Sequence, residues 1–361
     1  MLHASPRPAA MGGKPRDIWL HGDEPAEALD ATLARTVAGL ELRPGFPERI
    51  LELEDVFVVP GEGTSCLYDK DGRRIAESCV RRGENLDDYI GAEKERIDPP
   101  TDFAVVSTPV LYLSMYFRHW GHFLTEAVSR LWPRHAYPEF RDIEVLFAGF
   151  NLGFRRHDNA RAFFAGLSTP PRFAAPRGVA KLAKCFVPTP SFVNRAVAYA
   201  GHLAATREVG ASLTRDAGIA RTEQPLYLSR SRLVGVDRVV VNETAFEEIL
   251  RGAGVRIAHP QEMSLVDQIA LFRSHATILG CAGSALHNLM FTADGVGMRA
   301  HVFSERQLNR NCLLIDGIVG NASHYARVLE GSRAFDSRRP RMAIQIDIDS
   351  AVDYLRDAGI I

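Results

Sequence analysis

The sequence predicts an α/β fold in two domains, on three observations. The chain has 361 residues and is 46% hydrophobic, enough to bury more than one sizeable core. Beyond about residue 220, short apolar runs alternate with helical segments, which implies crossover units and a parallel sheet covered by helices on both faces. Between the halves lies ARTEQP (220–225), a polar break closed by proline.

Residues 1–48, with a Pro/Gly-rich start, read as a loosely ordered entry. Residues 49–205 form the first α/β domain, 206–330 the second, and 331–361 a tail whose helix packs back on the body. In the first domain, DVFVVPG (55–61) and SCLYDKDGRRI (65–75) are strand-like, the latter broken by a turn at Asp71-Gly72. FAVVSTPVLYLS (103–114) is extended. GHFLTEAVSRLW (121–132) switches to helical spacing, and Pro133 marks its end. IEVLFAG (143–149) reads as a buried strand, ARAFFAGL (160–167) as a helix and KCFVPTP (184–190) as a strand. The Ala-rich stretch 195–218 is helix-compatible.

In the second domain LYLS (226–229) is a strand. Asn242 is placed to N-cap ETAFEEILR, with Gly252 as its stop. VRIA (255–258) is a strand, and Ser264 begins an S-x-x-D helix start for LVDQIALFRS. ATILG (276–280) is a strand, SALHNLMF (284–291) a helix, RAHVF (299–303) a strand and SAVDYLRDAGI (350–360) the last helix.

Lys+Arg at 43 against Asp+Glu at 44 leave a formal charge of −1, so no global basic field argues for nucleic acid. Five dispersed cysteines form no C-x-x-C, which argues against a disulfide framework or a zinc site. The N-terminus lacks the apolar core of a secretory signal, and no run approaches the ~18 apolar residues of a membrane span. The expectation is a cytoplasmic protein.

Three stretches carry chemistry. In ILGCAGSALHNLMF (278–291) a buried strand ends at Gly280 and Gly283 just before a helix. In an open parallel sheet that edge receives ligands, and the bare backbone with a helix start suits a phosphate. The bland alternative is a tight strand-to-helix turn. The stretch has neither G-x-G-x-x-G nor G-K-[ST] nor G-x-S-x-G spacing. In YLSRSR (227–232), Arg230 and Arg232 leave a strand at the same sheet edge, with Arg238 following; guanidinium forks suit phosphate oxygens.

The third stretch is WGHFLTEAVSRLW (120–132). At ~100° per residue, Phe123, Leu124, Ala127, Val128 and Leu131 share one side, and His122, Glu126 and Arg130 the other. That polar stripe is either a solvated face with one ion pair or the seat of a base. An imidazole titrating near neutrality suits proton removal from a hydroxyl. Two D-x-D strings, Asp69-Lys70-Asp71 and Asp347-Ile348-Asp349, read as turn and surface chemistry rather than metal ligands.

Together WGHFLTEAVSRLW, YLSRSR, Asn242-Glu243, SLVDQIALF (264–272) and ILGCAGSALHNLMF resemble glycosyltransferase family 61, of the type found in bacterial polysaccharide biosynthesis, over roughly residues 105–305. The resemblance implies two Rossmann-like domains in a GT-B arrangement with an interdomain cleft. The acceptor side would be N-terminal and the nucleotide-sugar side C-terminal. It further implies inverting, metal-independent hexosyl or pentosyl transfer from a nucleotide-sugar, such as a UDP-sugar, to a glycan or polysaccharide hydroxyl. No cofactor or metal is called for, and a peripheral association with polysaccharide assembly machinery is implied.

On this reading His122 is the base, with Glu126 orienting it or acting in its place. Arg230, Arg232, Gly283 and Ser284 bind the donor diphosphate. Asn242, Glu243, Gln268, His287 and Asn288 are candidates for nucleotide or sugar contacts, each equally able to serve as a cap or structural hydrogen bond. Many members carry His-Gly where this chain has Ala282-Gly283, so that side-chain donor is missing; whether His287, five residues on, compensates is left open by the sequence. A sugar-nucleotide-binding scaffold without turnover is the alternative class. An NAD-dependent oxidoreductase is a third, opposed by the missing glycine triad.

Overall fold

The computed structural model describes residues 2–4, 18–60, 66–80, 94–148, 157–234, 238–292, 297–332 and 342–361. Its described residues divide into two compact units. One combines residues 2–4 and 18–38 with 214–361, the other holds residues 39–213.

The first unit is built on a seven-stranded sheet in the order Leu2–Ala4, Ile18–His21, Ala322–Arg327, Arg299–Ser304, Thr277–Cys281, Leu226–Leu228, Arg256–Ala258. Every neighbouring pair from Ile18–His21 onward is parallel, and only Leu2–Ala4 runs antiparallel. Leu226–Leu228 and Thr277–Cys281 are buried at every position, as strands covered on both faces must be. Tyr227, Leu279, Cys281 and Phe303 pack under Phe246 and Leu250 of helix Glu243–Gly252 and under Ala351 and Leu355 of helix Ile348–Asp357.

Local chemistry sets the helix ends. The Ser264 hydroxyl accepts from the Asp267 N–H and opens helix Leu265–Ser274, as the S-x-x-D spacing predicts. Asp347 caps Ile348–Asp357 through the Ser350 N–H and hydroxyl, which gives the second D-x-D string a structural duty. Helix Glu243–Gly252 runs through the predicted stop at Gly252; the left-handed residue that follows is Gly254, at φ +84°.

Two expectations are corrected here. The stretch taken as a loosely ordered entry contains Ile18–His21, a strand of the sheet with Ile18 and Leu20 buried, and helix Ala26–Val37, which buries Leu29 and Leu33. The strand's partner, Ala322–Arg327, lies some 300 residues away, beyond any local pattern. Asn242 does not cap through its side chain: its amide donates to the Ile346 carbonyl at 2.7 Å and accepts from the Ile346 N–H at 2.9 Å. It therefore ties the start of helix Glu243–Gly252 to strand Met342–Ile346, the centre of a small sheet with Arg238–Val240 and Leu329–Ser332.

The second unit carries a mixed sheet in the order Arg74–Ile75, Leu67–Tyr68, Ile50–Val58, Ala180–Pro188, Val110–Met115, Glu144–Ala148, with Ala104–Val106 also beside Ala180–Pro188. Val110–Met115 pairs parallel with both its neighbours, while Ile50–Val58 runs antiparallel to Ala180–Pro188. A Rossmann-like sheet was expected; only part of this one is parallel. At the antiparallel edge, Leu67–Tyr68 and Arg74–Ile75 are joined by a hairpin at Asp69–Gly72, where the Asp69 carboxylate accepts from the Asp71 and Arg73 N–H groups and Gly72 takes φ +75°. The first D-x-D string is thus a turn.

Stretch 195–218 opens with strand Val197–Tyr199 before helix Leu203–Leu213, after which the units divide. All five cysteines are buried. Among the described residues no helix is long and apolar enough to cross a membrane.

Candidate functional site

The candidate residues form two clusters, one in each unit. In unit 39–213, strand Val110–Met115 delivers the chain to the first. The strand bends near its end, where the register shifts between Tyr112 and Ser114 and Ser114 takes φ +71°. The following segment is not the regular helix its spacing predicts. Trp120–His122 is one α turn and Phe123–Ala127 a π turn, closed by the Val128 N–H on the Phe123 carbonyl at 3.2 Å. The apolar side is buried as predicted: Phe123, Leu124, Ala127, Val128 and Leu131 are all in the core.

The polar side is also inside, which excludes a solvated face. Glu126 is 5% and Arg130 3% exposed. His122 Nδ1 lies 2.6 Å from Glu126 Oε2, with the imidazole about a third exposed and the carboxylate almost wholly buried. Phe117 and His119 flank the ring, at centroid distances of 5.7 and 5.1 Å. Arg130 has a different task. Its guanidinium donates to the carbonyls of Glu77, Cys79 and Pro188, stapling the segment to two other parts of the chain. Trp132 Nε1 adds a bond to the Thr189 carbonyl at 2.8 Å.

A carboxylate buried beside an imidazole fixes which ring nitrogen carries the shared proton. Glu126 accepts, so Nδ1–H donates, and Nε2 is the atom with basic character toward a substrate hydroxyl.

The second cluster lies in unit 214–361, at the carboxyl edge of the parallel sheet. Leu228 pairs with Gly280, so Arg230 leaves its strand beside the turn at Ala282-Gly283. The two stretches meet as their shared edge predicts: Arg230 Nη1 sits 3.6 Å from where a Gly283 β-carbon would be. Arg230 Nη2 donates to the Arg238 carbonyl at 3.1 Å, and Arg238 itself pairs with Glu305.

The loop's shape comes from two buried glutamates one turn apart on helix Glu243–Gly252. Glu243 Oε1 accepts from the Arg230 N–H at 3.0 Å and the Tyr227 hydroxyl at 2.7 Å. Burial pushes the Glu243 carboxyl above its usual range, against those two donors and the Arg230 charge. Glu247 Oε1 accepts from the Ser229 and Ser231 hydroxyls, both at 2.6 Å. Burial pushes its carboxyl up too, but those hydroxyls, with His259 and Arg251, outweigh it and leave it below its usual value.

Ser229, Ser231 and Glu247 were missed in the sequence. The available signal was the S-R-S-R alternation, with a second glutamate four residues after Glu243.

Other predicted contacts are engaged differently. Arg232 pairs with Glu262 at 2.7 Å on the surface rather than being shown at the glycine turn. Gln268 donates to the Pro260 and Met263 carbonyls and accepts from Asn288 at 2.8 Å; both are buried, and their amides hold the turn's underside. Asn242 ties down strand Met342–Ile346, as described. His287 is buried, Ser284 half-buried.

The turn itself departs from expectation in two ways. Ser284–Phe291 is a 3₁₀ rather than an α-helix, and the Gly283 main chain lies beside the buried Cys312 thiol. The amides that remain for an anion by helix geometry are those of Ser284 and Ala285. The Ala282 N–H is taken by the Phe303 carbonyl at 2.8 Å.

Residues 120–299 match the family model described as Glycosyltransferase 61, a span that runs from the segment of the imidazole–carboxylate pair through the glycine turn. The match supports a place for the chain in that family and, with it, a transferase. No curated protein matches the chain.

Proposed function

We propose that this chain, whose residues 120–299 carry the Glycosyltransferase 61 match, is an inverting glycosyltransferase. It would move a hexosyl or pentosyl group from a nucleotide-sugar to a glycan or polysaccharide hydroxyl. The observation that carries this reading is the His122–Glu126 pair at 2.6 Å, inside the matched span, with its carboxylate buried. Donor recognition on one unit and acceptor activation on the other, the GT-B division of labour, is part of the proposal. So are metal independence, a UDP-type donor and a cytoplasmic, peripheral place in polysaccharide assembly.

In the reaction the acceptor oxygen attacks the anomeric carbon, the bond from that carbon to the diphosphate oxygen breaks, and the acceptor proton passes to His122 Nε2. Glu126 holds Nδ1–H and stabilises the imidazolium that forms. Negative charge grows on the leaving diphosphate. Arg230, with the Ser284 and Ala285 N–H groups and the Ser284 hydroxyl, is arranged to meet it.

Glu243 and Glu247 act through the loop: they fix its backbone and inward serines so that Arg230 stays over Gly283. Gln268 and Asn288 are better explained as support for the turn than as sugar contacts.

The test is a thermal-shift panel of nucleotide-sugars followed by transfer assays with the best binder. A ligand held at 100 times its Kd stabilises the native state by about 2.7 kcal/mol. Arg230→Ala removes one charge-assisted contact to the diphosphate. It should raise the Kd of the stabilising nucleotide-sugar by about 10- to 100-fold, as calorimetry would show. An unchanged Kd removes Arg230 from the donor site. Stabilisation without transfer under any condition favours the scaffold reading, and transfer abolished by a chelator and restored by manganese ends the metal-independent one.

A further inference from the structure

The π turn that carries Glu126 disturbs the backbone ladder at the Leu124 carbonyl. The Val128 N–H goes to the Phe123 carbonyl and the Ser129 N–H to the Glu126 carbonyl, so both bypass Leu124. The Leu124 carbonyl lies instead 3.0 Å from Nε2 of His202, a side chain only 4% exposed and 78 residues further on. A carbonyl only accepts, so Nε2 bears the proton and Nδ1 is the acceptor.

The Ser191 hydroxyl faces both Nδ1, at 2.9 Å, and the Ser129 carbonyl, at 2.8 Å, and its one proton serves one of these acceptors at a time. The Ser191 N–H donates at 2.8 Å to the Ser129 carbonyl, and the Ser129 hydroxyl donates at 2.7 Å to the Glu126 carbonyl. His202 and Ser191 thus hold the chain on both sides of Glu126. Burial pushes the His202 pKa down to about 4, against the Leu124 carbonyl, so the ring keeps one neutral tautomer at neutral pH.

We infer that His202 is a positioning residue for the His122–Glu126 pair, holding the π turn so that the buried carboxylate meets Nδ1. The catalytic consequence rests on that pair being the base of the proposed transfer; the geometric claim does not. His202 touches no reacting atom on this view. It replaces a hydrogen bond the regular helix would have made, within the turn that carries Glu126.

The experiment compares the wild-type chain with His202→Met, which fills the space without a donor, and His202→Gln, whose amide N–H can still reach the Leu124 carbonyl. Proton NMR reads the His122 Nδ1–H resonance, which a hydrogen bond to a carboxylate moves downfield. The resonance should persist in His202→Gln and disappear in His202→Met.

In transfer assays His202→Met should lose about 10- to 100-fold in kcat, as a misplaced base does, with donor KM within about 2-fold; His202→Gln should recover most of the loss. A folded His202→Met that keeps both the resonance and kcat overturns the inference. If His202→Met does not fold, Ser191→Ala decides instead: a weaker loss of both signals supports the inference, and no change in either overturns it. Absence of transfer in the wild type would reject the function proposed, while the resonance would still judge His202.

Discussion

His122→Asn should lower kcat by about 10²- to 10⁴-fold, the range of a positioned general base, with donor affinity nearly intact. The expectation follows from where the two charges sit. Glu126 is buried and 2.6 Å from Nδ1, so it holds the ring in the tautomer that leaves Nε2 basic. When the acceptor proton arrives, the imidazolium forms next to a carboxylate already in place.

Glu126→Gln keeps the size of the side chain but removes the charge and lets an amide N–H face the ring. A loss of about 10²-fold or more in kcat is expected there as well. The two substitutions separate the two assignments left open by the sequence. Were Glu126 itself the base, His122→Asn would keep most of its rate. Rapid-quench turnover with donor binding measured in parallel distinguishes these outcomes.

Acid should unfold the unit that contains residues 18–38 and 214–361, and the cause is a ladder of rings. His301, His324 and Trp19 sit directly opposite one another on three adjacent parallel strands. His301 and His324 stack at 4.7 Å between ring centres, and His324 and Trp19 at 4.3 Å. His21 lies beside His324, its Nε2 3.4 Å from His324 Nδ1, and the Tyr354 hydroxyl meets His301 Nδ1 at 2.6 Å.

Burial pushes His301 down to about 3, helped by the charges of His324, Arg299 and His21. It pushes His324 to about 4, helped by His21 and Arg299, and His21 also to about 4. In the unfolded chain the same imidazoles titrate near 6.5. Below that pH the unfolded state therefore binds more protons than the folded one, and stability falls.

The loss should start near pH 6.5, accumulate toward pH 4 and level off below the folded values; above pH 7 the ladder has no effect. Two pH units on one buried group correspond to about 2.7 kcal/mol; His21 and His324 keep part of their hydration and the rings share one mutual repulsion, so the three losses do not simply add. Calorimetric melts from pH 7.5 to 4 should show the loss. His324→Phe keeps a ring in the stack but removes one protonation, and should flatten the acid slope. An unchanged slope would mean that the ladder is not what makes the unit acid-labile.

What could be read from the sequence was whatever local chemistry or simple register dictates. Ser264 and Asp267 form a helix start in any context. The meeting of Arg230 with Gly283 followed from two successive parallel strands ending at one edge, which places the loops after Leu228 and Gly280 together.

What escaped was non-local. Ile18–His21 joins the sheet only because Ala322–Arg327 offers an edge, and Asn242 gives up its capping role because Ile346 presents two backbone groups to its amide. The period of residues 121–132 predicted a regular helix and the right buried side. The π turn at Phe123–Ala127 was invisible because its missing backbone bond is made by His202, from another element altogether. Burial of Glu126 and Arg130 was equally out of reach: a helical wheel shows a polar stripe, not what covers it.

In the proposed mechanism His122 and Glu126 deprotonate an acceptor hydroxyl while a nucleoside diphosphate departs. That mechanism is tested most directly by following sugar transfer by mass spectrometry for wild type and His122→Asn, with the nucleotide-sugar that stabilises the protein and a panel of glycan acceptors. A product heavier by one sugar with wild type, reduced about 10²-fold or more in His122→Asn at equal donor binding, is the predicted result. Equal product from both proteins would contradict it.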